Sequence, residues 1–170
     1  LVVILVLVAA RWFCGGWWIT WNTGRAVESS AENNSNGSEN TFKAPDFDPA
    51  AVDGVPDVDA SLGWSELTID DGYVVHVCGV LTADADGSLP VWFASDADNK
   101  VWTKLRVQNA EGKTIGETGL LKPGQYVERL QLAGSAVSGE VTLQVMGYEP
   151  DTYYSAGSVG LATALTIENE

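Results

Sequence analysis

The feature that most constrains the fold is a series of short strand-like segments between Trp64 and Ile167. Apolar and polar residues alternate within these segments, and none of them keeps the 3.6-residue period of an amphipathic helix. Turn signals rich in glycine, proline and aspartate separate the segments at short intervals. This pattern predicts an all-β domain, an antiparallel β-sandwich of about seven or eight strands. The predicted strands are 64–69, 73–81, 89–94, 101–108, 114–120, 126–132, 140–148 and 160–167.

Alternation also predicts which side chains face the core. In the strand at 101–108, the odd-numbered residues from Val101 to Val107 form the predicted buried face, and Trp102 begins the opposite face. The strand at 140–148 has the same pattern, with its apolar residues at odd-numbered positions. Both segments therefore predict half-buried strands, as a two-sheet fold requires.

The N-terminal residues predict a membrane segment. Residues 1–10 read LVVILVLVAA, without a polar side chain, and are followed by RWFCGGWWITW. Ten apolar residues cover about half of a bilayer core. We therefore expect 1–21 to be a transmembrane or signal-anchor helix that begins upstream of Leu1, with Arg11 and the indoles at the headgroup level. The alternative is a secretory signal peptide, because Val8-Ala9-Ala10 resembles a cleavage site.

A polar stretch separates this segment from the strand-like region. Residues 22–44 are nearly all small or polar and predict a disordered linker, and 45–170 is the predicted sandwich domain. Phe42, Phe47 and Val55 are expected to lie against that domain. The predicted location is the cell membrane, crossed once and in contact with the lipid bilayer, with the folded domain outside the cytoplasm.

Charge and cysteine content exclude several classes of function. The chain has 23 acidic and 9 basic residues and a formal charge of -14, which disfavours DNA or RNA binding. Cys14 and Cys78 lie far apart in different predicted environments, so no disulfide framework is predicted.

The C-terminal part of the chain resembles a known group of proteins. The matching pieces are VWTKLRVQN, AEGKTIGETGLLKPGQYVERLQL and VTLQVMGYEPDT, all between Asn99 and Ile167. This stretch is similar to uncharacterised, membrane-anchored proteins of Gram-positive bacteria. The resemblance implies an N-terminal membrane helix, a low-complexity spacer and a single immunoglobulin-like sandwich outside the cell. It implies no catalytic residue.

Three side chains on one predicted strand face are candidates for recognition. Trp102, Lys104 and Arg106 place an aromatic ring beside two cations, which suits an acidic glycan or the carboxylates of a partner protein. The alternative is cross-strand ion pairing with Glu117 or Glu128.

The loop between the last two predicted strands carries Tyr148, Tyr153 and Tyr154. Tyrosines at the end of a sandwich offer a large contact area with little loss of rotamer entropy. They are predicted recognition residues, and the alternative is that they cover the end of the core.

Metal ligands are sparse in the chain. Asp84 with Asp86, and Asp96 with Asp98, are weak calcium candidates that could meet at one end of the sandwich, and the alternative is two solvated turns. A zinc site is disfavoured because His76 and Cys78 share a strand face without further nitrogen or sulfur ligands nearby. We expect no cofactor.

These observations favour a non-catalytic interaction or structural module of the cell envelope, with an envelope protein or a glycan as its partner. A carbohydrate-binding module that uses tryptophan and tyrosine is the alternative. An enzyme is disfavoured because no nucleophile motif or catalytic set is evident.

Overall fold

Two five-stranded sheets make up most of residues 43–69 and 72–168, the part of the chain that the computed structural model describes. None of these residues belongs to a helix with the length and hydrophobicity that a bilayer span requires. The predicted membrane segment at 1–21 and linker residues up to 42 lie outside the described residues. The strands are β1 Val52–Asp53, β2 Trp64–Ile69, β3 Tyr73–Cys78, β4 Leu81–Ala83, β5 Ser88–Ser95, β6 Trp102–Asn109, β7 Thr114–Glu117, β8 Gln125–Gln131, β9 Gly139–Tyr148 and β10 Ser155–Ile167, and a short 3-10 helix spans Ala60–Leu62.

The strand order divides the chain between two layers. The first sheet has the order β1-β8-β5-β3-β2, and the second has the order β4-β10-β9-β6-β7. Neighbouring strands pair antiparallel, except that β4 pairs parallel with β10. The prediction of an all-β sandwich is therefore confirmed, but the described residues form ten strands rather than about seven or eight, because β1 and β4 are short strands that alternation does not reveal.

The core lies between the two sheets, where the alternation predicted it. The odd-numbered residues from Val101 to Val107 are at most 6% exposed, and Val141, Leu143 and Val145 are buried opposite the first sheet. At one place the sheets approach closely, because Gly147 has no side chain. A Cβ atom there would lie 2.5 Å from Cε1 of Tyr73.

Three strand bounds differ from the prediction by three residues or more, and the others by at most one. The strand predicted at 114–120 ends at Glu117 as β7. The strand predicted at 73–81 ends at Cys78, and after Gly79 and Val80 the chain enters the other sheet as β4. β10 begins at Ser155 rather than at Gly160, with an irregular register between Ser155 and Ser158. Small residues and glycine weaken the strand signal at the start of β10, since that signal depends on branched and aromatic side chains. At the end of β3, the apolar run through Leu81 hides the break at Gly79.

The segment that leads into the domain, residues 43–51, runs beside the second sheet. The amide of Asp48 donates to the carbonyl of Leu120 (3.0 Å), and the amide of Leu120 donates to the carbonyl of Asp46 (2.9 Å). The expectation for Phe47 is confirmed, because it forms a parallel bridge with Leu120 and packs on Trp102. The expectation for Val55 was wrong: it follows the turn at Gly54 and is 87% exposed. Phe42 lies outside the described residues.

Candidate functional site

Three aromatic rings meet on the outward face of the second sheet. The ring centroids of Phe47 and Trp102 are 4.8 Å apart at 75°, and those of Trp102 and Tyr153 are 5.2 Å apart at 60°. We call these three residues the aromatic cluster. Tyr148 borders it, because β9 places Tyr148 directly opposite Trp102 on β6. Rings from the lead-in, a strand and a loop thus form one continuous surface.

The backbone of the 149–154 loop directs Tyr153 and Tyr154 to different surroundings. Asp151 and Tyr153 adopt left-handed φ angles of 66° and 58°, and the amide of Glu149 donates to the carbonyl of Tyr154 (2.8 Å). Left-handed backbone is uncommon outside glycine. Two such residues and the hydrogen bond between Glu149 and Tyr154 therefore define one conformation of the loop. It directs Tyr153 onto Trp102 and leaves Tyr154 74% exposed.

The two predicted cations on β6 share one carboxylate. Lys104 Nζ lies 2.9 Å from Glu117 Oε1, and Arg106 Nε lies 3.0 Å from Glu117 Oε2. The ion pairing with Glu117 considered from the sequence is therefore present. Pairing with Glu128 is not, because Glu128 lies on β8 in the other sheet.

Burial makes the Lys104 contact more than a surface ion pair. Lys104 is 7% exposed and stands opposite Met146, so its ammonium needs the partner that Glu117 provides. Burial alone would raise the pKa of Glu117. The hydrogen bonds and positive charges of Lys104 and Arg106 outweigh that effect and lower the pKa.

A third cation lies at the other end of the aromatic cluster. Lys122 Nζ is 4.9 Å from the centroid of the Phe47 ring, within the range of a cation–π contact. The nearby carboxylate of Asp48 accepts hydrogen bonds from the amides of Ala50 and Gly119. Lys104, Arg106 and Lys122 therefore lie near the rings, together with the ion-paired carboxylates of Glu117 and Asp46. Phe47 and Lys122 were absent from the sequence-based site, because only the fold brings the lead-in and this turn beside β6.

The two aspartate turns do not meet. They precede and follow β5, whose eight residues separate them by about 26 Å. Within each turn a carboxylate caps the backbone, since Asp86 accepts from the amide of Ser88 and Asp96 accepts from the amide of Asp98. In the part of the chain that the structure describes, no three His, Cys, Asp or Glu side chains are grouped as metal ligands. A calcium ion at either turn stays a prediction, and Asp84 is ion-paired with Arg129.

His76 and Cys78 lie on the first sheet, away from the aromatic cluster. The imidazole of His76 stacks on the indole of Trp64, with centroids 4.6 Å apart. Cys78 is 1% exposed, and burial raises the pKa of its thiol to about 11. The thiol is therefore protonated at neutral pH and is a poor nucleophile or metal ligand.

Comparison with known proteins gives no assignment. The chain matches no protein-family model, and no curated protein matches it. The candidate site therefore rests on its own geometry.

Proposed function

We propose that this chain is a non-catalytic binding module of the cell envelope. In this proposal, the segment at 1–21 anchors the chain in the cell membrane, and the sandwich is displayed outside the cytoplasm. The observation that carries the binding role is the aromatic cluster, flanked by Lys104, Arg106 and Lys122. Rings beside cations on an otherwise acidic protein suit a partner with carboxylates and apolar groups.

The strand order supports an immunoglobulin-like assignment of the sandwich. Immunoglobulin domains place strands A, B, E and D in one sheet and C, F and G in the other. Here β3, β5 and β8 are adjacent in the order of A, B and E, and β6, β9 and β10 in the order of C, F and G. The N-terminal strand β1 occupies the position of strand D.

The partner that we propose is an acidic segment of another envelope protein. Lys122 and the exposed Phe47 offer a cation beside an apolar surface, and Tyr154, the neighbour of Tyr153 in the loop, is 74% exposed. At many interfaces a few residues, often aromatic, carry most of the binding energy. Lys104 and Arg106 are ion-paired with Glu117. We therefore expect them to attract the partner electrostatically rather than to contact it directly.

The test uses the full chain in detergent micelles and immobilised acidic peptides with interspersed tyrosine or leucine. Lys122→Ala and Tyr154→Ser should each weaken binding about fivefold. Lys113→Ala is the matched control, since Lys113 is also an exposed turn lysine but lies in the β6–β7 hairpin. Equal losses in all three variants, or no binding of any acidic peptide, would contradict the proposal.

A carbohydrate-binding module is the second candidate, favoured by the tyrosine-rich loop beside Trp102. Sugar rings stack on aromatic faces, and a neutral sugar has no need of the cations. Binding of neutral glycans that survives Lys122→Ala but is lost in Tyr154→Ser would support this candidate over an acidic protein partner.

Membrane attachment is tested separately. The full chain should sediment with membranes of the expressing cell, and protease added outside intact cells should digest the acidic domain. Recovery of the intact chain in the cytosolic fraction would contradict the proposed location.

A further inference from the structure

The outward face of the first sheet holds a hollow that the proposed function does not use. β1 lies at one edge of this sheet and β2 at the other, so the chain between them crosses the face. We call residues 54–59 the crossing segment. Between it and the sheet is an open hollow of about 270 Å³, lined by residues of the crossing segment, the sheet and two turns.

One wall of the hollow is a tryptophan held in a fixed orientation. The Trp64 indole stacks on His76 at an interplanar angle of 21°, and its Nε1–H donates to the carbonyl oxygen of Trp92 (2.7 Å). Trp92 has a φ of 42° within the irregular register of β5 between Pro90 and Phe93. A bulky residue rarely adopts this conformation, and the surrounding strands must stabilise it. The irregular register presents the carbonyl that orients Trp64.

The lining combines apolar surface with negative charge. Val55, Pro56 and Ala94 contribute apolar groups, Asp96 contributes a carboxylate, and His76 contributes an imidazole. Glu66 adds a second carboxylate beside the hollow, because its Oε2 lies 4.0 Å from Nε2 of the lining residue His76. Neither lysine nor arginine lines the hollow. The acidic groups at the hollow therefore favour a cationic ligand over an anionic one.

We propose that this hollow binds a lysine side chain of a basic segment in a partner protein. The apolar stem of lysine would lie along Val55 and Pro56, and its ammonium would lie near Asp96 and the face of Trp64. Long basic side chains bury their stems and keep the charge at polar or aromatic groups. The net charge of -14 further attracts a basic partner. This ligand is opposite in charge to the one proposed for the aromatic cluster, and the two sites share no residue.

The experiment titrates the full chain in detergent micelles with a short glycine peptide that contains two lysines. A peptide with norleucine in place of lysine keeps the stem without the charge and should bind about tenfold more weakly. Asp96→Asn preserves the Oδ1 acceptor for the amide of Asp98 and should weaken lysine-peptide binding about fivefold. Asp98→Asn is the matched control, because Asp98 is an exposed neighbour that does not line the hollow.

Circular dichroism of each variant establishes that the fold is retained. Loss of binding in Asp96→Asn with no change in Asp98→Asn or Lys113→Ala supports the inference. Equal affinity for the lysine and norleucine peptides, or unchanged binding in Asp96→Asn, would overturn it. Binding of free pentylamine as tightly as the peptide would also overturn it, in favour of a small amine as ligand. None of these outcomes depends on the acidic-peptide test of the aromatic cluster.

Discussion

The two outward faces of the sandwich use similar aromatic residues in different ways. On the second sheet, Phe47 and Tyr153 pack against Trp102, so the rings fill the space above the strands. On the first sheet, Trp64 lies against His76 and the crossing segment stands off the sheet, which leaves a hollow. The difference lies in what covers each face. Where a chain segment approaches a strand aromatic closely, the ring becomes part of a packed cluster. Where the segment lies farther from the sheet, the ring lines an open hollow.

Charge separates the two faces as well. The cations Lys104 and Arg106 lie on the second sheet, and the carboxylates Glu66 and Asp96 lie by the hollow on the first. The second sheet therefore gathers cations beside its aromatic cluster in a chain whose net charge is -14. Net charge alone would have predicted basic partners for both outward faces.

The largest difference in stability between the two faces is expected from Gly119→Ala. A Cβ atom at Gly119 would lie 2.5 Å from Cα of Asp48, which is backbone and cannot move aside without displacing the lead-in. We expect a loss of about 2 to 3 kcal/mol in unfolding free energy, typical of overpacking, measured by denaturant titration. Hydrogen exchange at 46–48 should increase, and the amides around Trp64 should keep their protection.

Gly134→Ala is the matched control, because a Cβ atom there would meet nothing within 4 Å. If Gly119→Ala were as stable and as well protected as Gly134→Ala, the lead-in would not be fixed beside the second sheet. The contrast between a filled and an open face would then be lost.

A smaller effect is expected from Trp64→Phe. The substitution removes the Nε1–H that donates to the Trp92 carbonyl and leaves that acceptor without its partner. We expect a loss of about 1 kcal/mol beyond that of Trp102→Phe, whose indole is held by ring contacts on the other face. Thermal denaturation of both variants measures the difference. Equal losses would mean that the hydrogen bond does not orient the wall of the hollow.

The smallest expected effect is on the pH dependence of stability, through Glu117 on the second sheet. Because the folded pKa of Glu117 is lowered, its ionised form stabilises the protein above the ordinary value of 4.5, and this contribution is lost as pH falls through the folded pKa. Glu117→Gln should therefore lose less stability than the natural chain between about pH 5 and pH 3, by on the order of 0.5 kcal/mol for this partly exposed group.

The melting temperature as a function of pH measures this change, with Glu128→Gln on the first sheet as the control. An identical slope for the natural chain and Glu117→Gln would show that Lys104 and Arg106 do not stabilise the carboxylate.

Much of the fold was predictable from local pattern. The bounds of β2 match the prediction, and β6 buries the alternate residues that its sequence indicated. The transfer of the chain from β3 to β4 was not predictable, because the apolar run continues through Leu81 and only Gly79 marks the break. β1 has two residues, and its pairing with β8 rather than its own sequence makes it a strand.

Less of the site was predictable, because it depends on contacts between distant segments. The sequence placed Trp102 beside two cations on one strand face, but the register that sets Tyr148 opposite Trp102 comes from the pairing of β6 with β9. The approach of Tyr153 requires left-handed backbone in its loop, and that of Phe47 requires the missing side chain of Gly119. The hollow depends on the backbone of Trp92, for which period-two alternation gives no signal.

The attachment of the lead-in also has a mechanical consequence. A pulling force applied to the chain ahead of Lys43 would first load the bonds that join Asp46 and Asp48 to Gly119 and Leu120. Their rupture would detach Phe47 from Trp102 before tension reached β1 or the core. Under load, the aromatic cluster would therefore lose a ring while the sandwich remained folded, so the surface to which we assign binding would respond to tension.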